Sequence, residues 1–458
     1  MKKLAFLWII TIFLVSCGGN SAEQAEPQTT EIAETSQTVG TAETTEISQT
    51  TETAETTEIS EPIEATETTF TGERTREEYL EDLDYLYYIL SNNFPFWGVI
   101  ERRAGVNLRQ LFADTRQHIE TTPQIADDNA FFNLLQSNIF APVGSLGHLG
   151  AISQDNAGFF ISSYGSLYAI GDESLRPYFA IFDNPTSRNF YNLTDEHFIF
   201  EEETAEQFMQ GRQNLHTSIT EPGVIAYVQI PTMAAMAIEN DAIQLWGFFH
   251  EIADFEHLIV DIRGNPGGSS GYFPYVVMQP LMKETLTAQF YMMFSTHEHN
   301  MQFLEMRTFL QENGDFIDSE FLERLTYFNM DDLEYLDKYS PFTTVIEPIQ
   351  QQKPMFDGKI WLVVDRNNFS AAENAAQIAQ QTGFATIVGE PTGGDGIGID
   401  PSMLALPNTG IVVRYSSIYG TDWLGRNNQE FGTTPDIELP QTGTLSALLE
   451  IIRNGDWQ

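Results

Sequence analysis

Apolar residues fall into three regimes along the chain. Leu4 to Val15 is an apolar run interrupted only by Thr11. Residues 18 to about 72 show no apolar period at all. From Thr75 onward apolar positions recur at spacings that specify secondary structure. Leu80, Leu83, Leu86, Tyr87 and Leu90 follow a helical period. Thr75-Arg76-Glu77-Glu78 supplies a capping box at the start of this helix, and Phe94-Pro95 stops it. A second helix is predicted from Asn107 to Ile119 and a third through Phe131, Leu134 and Leu135. Together they predict a helical domain over residues 73–142.

Residues 143–222 are less regular. Short aromatic runs, Phe159-Phe160-Ile161 and Tyr178 to Phe182, are separated by Gly, Asn, Asp and Pro. That mixture predicts short strands and loops. Beyond residue 223 the period becomes that of an α/β domain reaching to 458. Strands are predicted at Val224–Ile230, Leu258–Ile262, Lys359–Val364 and Phe384–Val388, with helices at Ala242–Phe255 and Ser370–Gln381. Met403–Leu406 and Ile411–Tyr415 flank Pro407-Asn408-Thr409-Gly410, a hairpin signal. Residues 295–350 read as an insertion with helical stretches, and Leu445–Ile452 as a closing helix.

Charge narrows the function classes. The 458 residues carry a formal net charge of -43, which argues against nucleic acid, because phosphate contact needs clustered Lys and Arg. Part of the excess is local: residues 18–72 hold twelve Glu and no Lys or Arg. The octet Thr41–Ser48 recurs there as Thr53–Ser60. Such a composition buries little and repels itself, so an extended acidic tether is expected.

Cys17 is the only cysteine, which excludes a disulfide framework and a thiolate metal site. It follows Lys2-Lys3, the twelve-residue apolar run and Leu14-Val15-Ser16. Residues 1–17 thus resemble a bacterial lipoprotein signal peptide, whose Cys is lipidated. The expectation is an extracytoplasmic protein of the cell envelope, held to a membrane through Cys17.

Two segments carry chemistry. Leu258 to Asp261 is a buried-type strand that runs through Arg263 into Gly264-Asn265-Pro266-Gly267-Gly268. Glycines there let main-chain N–H groups approach a ligand closely, as an oxyanion hole requires. The strand ending at Val364 leads through Asp365 to Phe369 into a helix opening at Ser370. Taken alone, Ser370 suits two roles: an N-cap completed by Glu373, or a nucleophile near the positive end of a helix.

Taken together, the two segments resemble the tail-specific, or C-terminal-processing, serine protease superfamily. Its Asp-x-Arg-x-Asn-x-Gly-Gly segment matches Asp261–Gly268, and its Ser-Ala-x-Glu segment matches Ser370–Glu373. Gly389-Glu390-Pro391-Thr392-Gly393-Gly394 and Gly432-Thr433-Thr434-Pro435-Asp436 resemble two later motifs. The resemblance spans about residues 75–440. It implies a crotonase-like, Clp-protease-like α/β core, a polypeptide substrate, no cofactor and no metal. It also implies an acyl-enzyme on Ser370, with oxyanion donors from Gly267 or Gly268 and Ala371.

One branch of that superfamily pairs its serine with a lysine 25 residues later. Asp395 stands there in this chain, and no lysine follows Ser370. The other, tricorn-like branch uses histidine. Ser145-Leu146-Gly147-His148-Leu149-Gly150 matches its histidine segment, so His148 is the expected base. Glu430 is the expected third member, with Asp422 as competitor. The alternative to a serine peptidase is a non-catalytic relative on the same fold that captures peptides or other ligands.

Overall fold

The computed structural model describes residues 74–458 apart from 170, 200–213, 308–309, 311–313, 350–353 and 456–458. The expected signal segment, Cys17 and the acidic tether lie outside the described residues.

The strand-type runs beyond residue 223 assemble into one sheet. Its order is Ile437–Glu438, Thr386–Gly389, Lys359–Val364, His257–Asp261, Ile225–Gln229 and His216–Glu221. All neighbours are parallel except the last pair. Strands covered on both faces read as continuous apolar runs rather than alternating ones. Leu258-Ile259-Val260 and Trp361 to Val364 do so and are buried throughout. On one face lie the helices Ile238–Glu251 and Ala371–Thr382. The second buries Ala371, Ala372, Ala375, Ala376 and Ala379, small side chains that bring its backbone close to the sheet. The helix Thr444–Asn454 covers the other face through Leu448 and Ile452. The architecture is thus a crotonase-like α/β core preceded by a helical N-terminal region.

Two smaller sheets flank it. Leu286–Phe294 pairs with Ile418–Asp422 on one side and Lys338–Ile346 on the other. The long strand Lys338–Ile346 falls where an insertion with helical stretches was expected. Val412–Tyr415 pairs with Ser402–Ala405 as the predicted hairpin, and on its other edge with Gly150–Ala151.

The first helix, Arg76–Asn93, begins as the sequence predicts. Thr75 Oγ1 accepts from Glu78 N at 3.2 Å, and Glu78 Oε2 accepts from Thr75 N at 2.7 Å. The helix buries Asp82, whose carboxylate accepts from Asn408 N, Thr409 N and Thr409 Oγ1 at 2.8, 2.9 and 2.6 Å. This carboxylate pins the hairpin turn. The N-terminal helices also share one apolar cluster with Met403, Leu404, Val412, Val413, Tyr415 and Tyr419.

Residues 154–191 depart from the expected short strands and loops. Gln154–Ala169, Arg176–Asp183 and Pro185–Tyr191 are helices, not short strands. Ala157, Ile161 and Tyr164 are buried, which is the spacing of one helical face. Asn184 caps the third helix through Ser187 N, with Pro185 in its first turn. Those residues had suggested loop breaks, but they start a helix.

Candidate active site

The site lies at the carboxyl ends of His257–Asp261 and Lys359–Val364, adjacent parallel strands in the sheet. Ligand clefts of open parallel sheets form at such strand ends. From the first strand the chain turns through Gly264 to Gly268. Asp261 is fully buried and pairs with Arg263 at 2.7 Å while accepting from Tyr227 Oη at 2.9 Å. Asn265 Nδ2 donates to Ile230 O, and Asn265 Oδ1 accepts from Gly267 N at 2.8 Å. The polar residues of this motif therefore build the turn. Gly267, at φ 105°, leaves no room for a Cβ, which would stand 2.8 Å from Ser370 Cβ and 2.7 Å from Phe369 O.

From the second strand, Asp365 and Asn368 lock the loop that leads to Ser370. Asn368 Oδ1 accepts from Asp365 N at 2.7 Å, and its Nδ2 donates to Ile262 O. Asp365 Oδ1 accepts from Gly264 N at 3.0 Å, which ties the two turns together. Ser370 N donates to Gly394 O at 3.1 Å.

Ser370 occupies the N-cap position of Ala371–Thr382, yet its side chain makes no capping bond. Its backbone lies at φ 56°, ψ -124°, a strained conformation for a residue with a Cβ. Two main-chain donors stand at this turn without a hydrogen-bond partner among the described residues, Gly268 N–H and Ala371 N–H. The second is an orphan donor of a helix start. Gly267 N–H is already committed to Asn265, so of the two glycines considered only Gly268 offers a free amide.

Glu373 does not complete a capping box either. It is fully buried, and Oε1 accepts from Asn428 Nδ2 at 2.7 Å and Thr433 Oγ1 at 2.6 Å. Oε2 accepts from Gly394 N at 3.2 Å. Burial pushes its carboxyl pKa up, against the opposing pull of these donors. Glu373 thereby fastens loop 392–396 and segment 427–433 to the start of the helix.

That loop carries Asp395, whose Oδ2 lies 2.6 Å from His148 Nδ1. Ser416 Oγ donates to the same Oδ2 at 2.7 Å and lies 3.0 Å from Nδ1. A carboxylate only accepts, so this network puts the imidazole proton on Nδ1 and leaves Nε2 as the acceptor. Burial lowers the His148 pKa below 6.5, and the Asp395 charge opposes that shift. His148 packs on Phe369, the residue before Ser370, with ring centroids 4.5 Å apart. No hydrogen bond joins Ser370 Oγ to His148 among the described residues. His148, Ser370 and Asp395 all take positive φ, at 50°, 56° and 58°. Only Ser145 and Asn192 share that feature among the described non-glycine residues.

Glu430 is placed elsewhere. Both its oxygens accept from Arg102, at 2.8 Å each, and Arg102 also pairs with buried Asp332 at 2.6 Å. The acid in contact with His148 is therefore Asp395, while the expected Glu430 is bound by Arg102 instead. Asp422 is occupied too, pairing with Arg426 at 3.2 Å. Ser416 is the serine in contact with His148 Nδ1. Asp395 had one visible signal, its place 25 residues after Ser370. Ser416 had none. Among the described residues no cluster of His, Cys, Asp and Glu could hold a metal ion.

Comparison with known proteins bears on the fold. Residues 224–439 match Peptidase family S41. No curated protein matches the chain. Among solved structures, mature CPAF complexed with lactacystin is 15% identical with a TM-score of 0.52, covering 83% of this chain and 98% of that one. Mature CPAF alone is 16% identical with a TM-score of 0.50, covering 84% and 99%. The photosystem II D1 C-terminal processing protease is 11% identical with a TM-score of 0.38, covering 82% and 96%. Over its α/β core, residues 224–439, this chain is similar to Peptidase family S41, and it shares the fold of mature CPAF.

Proposed function

We propose that the protein is a lipid-anchored, extracytoplasmic serine peptidase that cleaves polypeptides through an acyl-enzyme on Ser370. The observation that carries this reading is the state of Ser370: a strained, uncapped helix start beside two free amide donors. A serine kept only to cap a helix would spend its hydroxyl on the N3 amide and would have no reason for positive φ.

In the proposed mechanism, Ser370 Oγ attacks the peptide carbonyl carbon and passes its proton to His148 Nε2. Oγ and Nε2 close to bonding distance when substrate is held. Asp395 and Ser416 keep the imidazole in the Nδ1–H tautomer, and Asp395 stabilises the imidazolium that forms. Gly268 N–H and Ala371 N–H receive the oxyanion. Collapse of the tetrahedral adduct expels the amine, which takes the proton from Nε2. Water then attacks the ester with His148 again as base, releasing the acid and restoring Ser370.

The lipid anchor rests on Cys17 and its flanking sequence. No described helix is long and apolar enough to cross a membrane. Cys17→Ser should release the protein from the membrane fraction or leave it unprocessed; normal retention and maturation would remove this part of the proposal.

The non-catalytic alternative draws support from the missing Ser370–His148 hydrogen bond. A fluorophosphonate probe separates the two. The peptidase reading expects a covalent adduct on Ser370, located by peptide mass spectrometry and lost in His148→Ala. An unlabelled, folded wild type would favour the binding protein.

A further inference from the structure

Arg414 has no assigned role in this site, yet it stands beside it. It lies on the strand Val412–Tyr415 and pairs in register with Gly150, two residues after His148. Two residues on in the other segment, Ser416 Oγ contacts His148 Nδ1 at 3.0 Å. Alternate residues of extended chain share a face, so Arg414 and Ser416 are directed to the same side. The Arg414 charge acts on His148.

Its guanidinium is left unused. Each of the other described arginines bonds to an acid or a carbonyl. Arg414 has no hydrogen bond or ion pair among the described residues, and its Nε is buried without a partner. Its one contact of note is the face of Phe160, 5.0 Å from the ring centroid. A chain with 65 acidic residues against 22 Lys and Arg does not lack acids to pair it with. The nearby carboxylates are committed: Asp395 to His148, and Asp400 to Arg307 at 2.8 Å. An unpaired cation with a buried nitrogen destabilises the free protein, and an incoming anion would offset that cost. A planar guanidinium with five donors suits a carboxylate through two parallel bonds.

We propose that Arg414 is a specificity-determining residue that anchors a carboxylate of the bound polypeptide next to the His148–Asp395 pair. The proposal rests on the peptidase reading for the identity of the ligand as a polypeptide. The carboxylate comes either from an Asp or Glu side chain or from the free end of the chain.

Three degenerate peptide pools distinguish the cases: neutral side chains with an amidated end, neutral side chains with a free end, and acidic side chains with an amidated end. Binding is measured by fluorescence anisotropy in Ser370→Ala, which needs no hydrolysis, and kcat/KM is measured in the protein with Ser370 intact. One carboxylate-bearing pool should bind about ten- to a hundredfold tighter than the neutral pool. Arg414→Gln should bring that ratio close to one, and Arg414→Lys should restore part of it. The pool affected identifies the source. A carboxylate preference in Ser370→Ala that Arg414→Gln abolishes, together with no turnover by the wild type, would sustain this site and refute the peptidase reading. Equal affinity for all three pools, or no binding of any, would overturn the proposal. So would an equal loss on every pool in Arg414→Gln, the signature of a merely structural or imidazole-tuning charge.

Discussion

Two helices of this protein open with the same sequence signature, a hydroxyl residue followed three places later by glutamate. At Thr75 the hydroxyl accepts from Glu78 N and the glutamate reaches back to Thr75 N, with the cap at φ -77° and ψ 161°. At Ser370 neither bond forms. The serine is held at φ 56°, and Glu373 turns inward to Asn428, Thr433 and Gly394. The signature is the same, but the surroundings are not. Arg76–Asn93 starts at an exposed end, where the backbone is free to take the cap geometry. Ala371–Thr382 starts between two glycine turns that already dictate the path of the chain. A local motif is therefore a statement about the backbone it is given, and a cap that fails to form beside orphan donors points to chemistry.

The sharpest way to break this contrast is Ser370→Ala. Hydrolysis should fall by roughly 10⁶, the scale measured for a nucleophile serine in a well-studied protease. The melting temperature should not show the loss of a cap, because none exists. A variant less stable by a cap's worth and still active would make the two helix starts equivalent.

Next in size is Asp395→Asn, set against Glu430→Gln. The first removes the acceptor that fixes the His148 tautomer and should lower kcat by about 10⁴. The second breaks only the Arg102 contact and should stay within about threefold of wild type, read by kcat with the fold checked by circular dichroism. The reverse order would return the third position to Glu430.

The glutamates extend the comparison to stability. Glu373→Ala leaves the donors of Asn428, Thr433 and Gly394 without an acceptor in a buried site, at a cost of about 3 kcal/mol or more. Thr75→Ala loses an exposed cap, at a cost of about 1 kcal/mol. Denaturant unfolding measures both, and similar values would contradict the different surroundings assigned to them.

The smallest effect is in pH. Burial lowers the His148 pKa below 6.5, so the neutral base should persist to lower pH than a free imidazole. The acid limb of kcat/KM should therefore fall below 6.5, and below that again in Asp395→Asn, where the opposing charge is gone. Stability follows the same sign. The unfolded chain takes up the proton more readily, so this contribution is present above pH about 6.5 and is lost as pH falls toward the folded value. A limb above 6.5 would mean that Asp395 outweighs burial.

These contrasts explain what the sequence disclosed. Strands buried on both faces, such as Lys359–Val364, announce themselves as apolar runs, and Gly383 ends its helix in the left-handed conformation such ends favour. The strand-to-turn segments that meet at Ser370 were legible because motif residues such as Asp261 and Asn265 act locally on their own turns. Helices in 154–191 were hidden because Gly158 and Asn184 read as breaks when counted without their neighbours. The meeting of Asp395 and Ser416 with His148 was hidden for a different reason. Their hold on His148 joins residues 247 and 268 positions apart, and no local period encodes such a meeting.

That separation has a consequence for the life of the chain. His148 emerges from synthesis long before Asp395, Ser416 and the Glu373 partners Asn428 and Thr433. A chain interrupted before the last of these has an imidazole but no acid to orient it, and a serine whose turn is not fastened. Closing loops of that length comes late in folding. On the peptidase reading proposed above, an unfinished copy would lack the acid that orients its base.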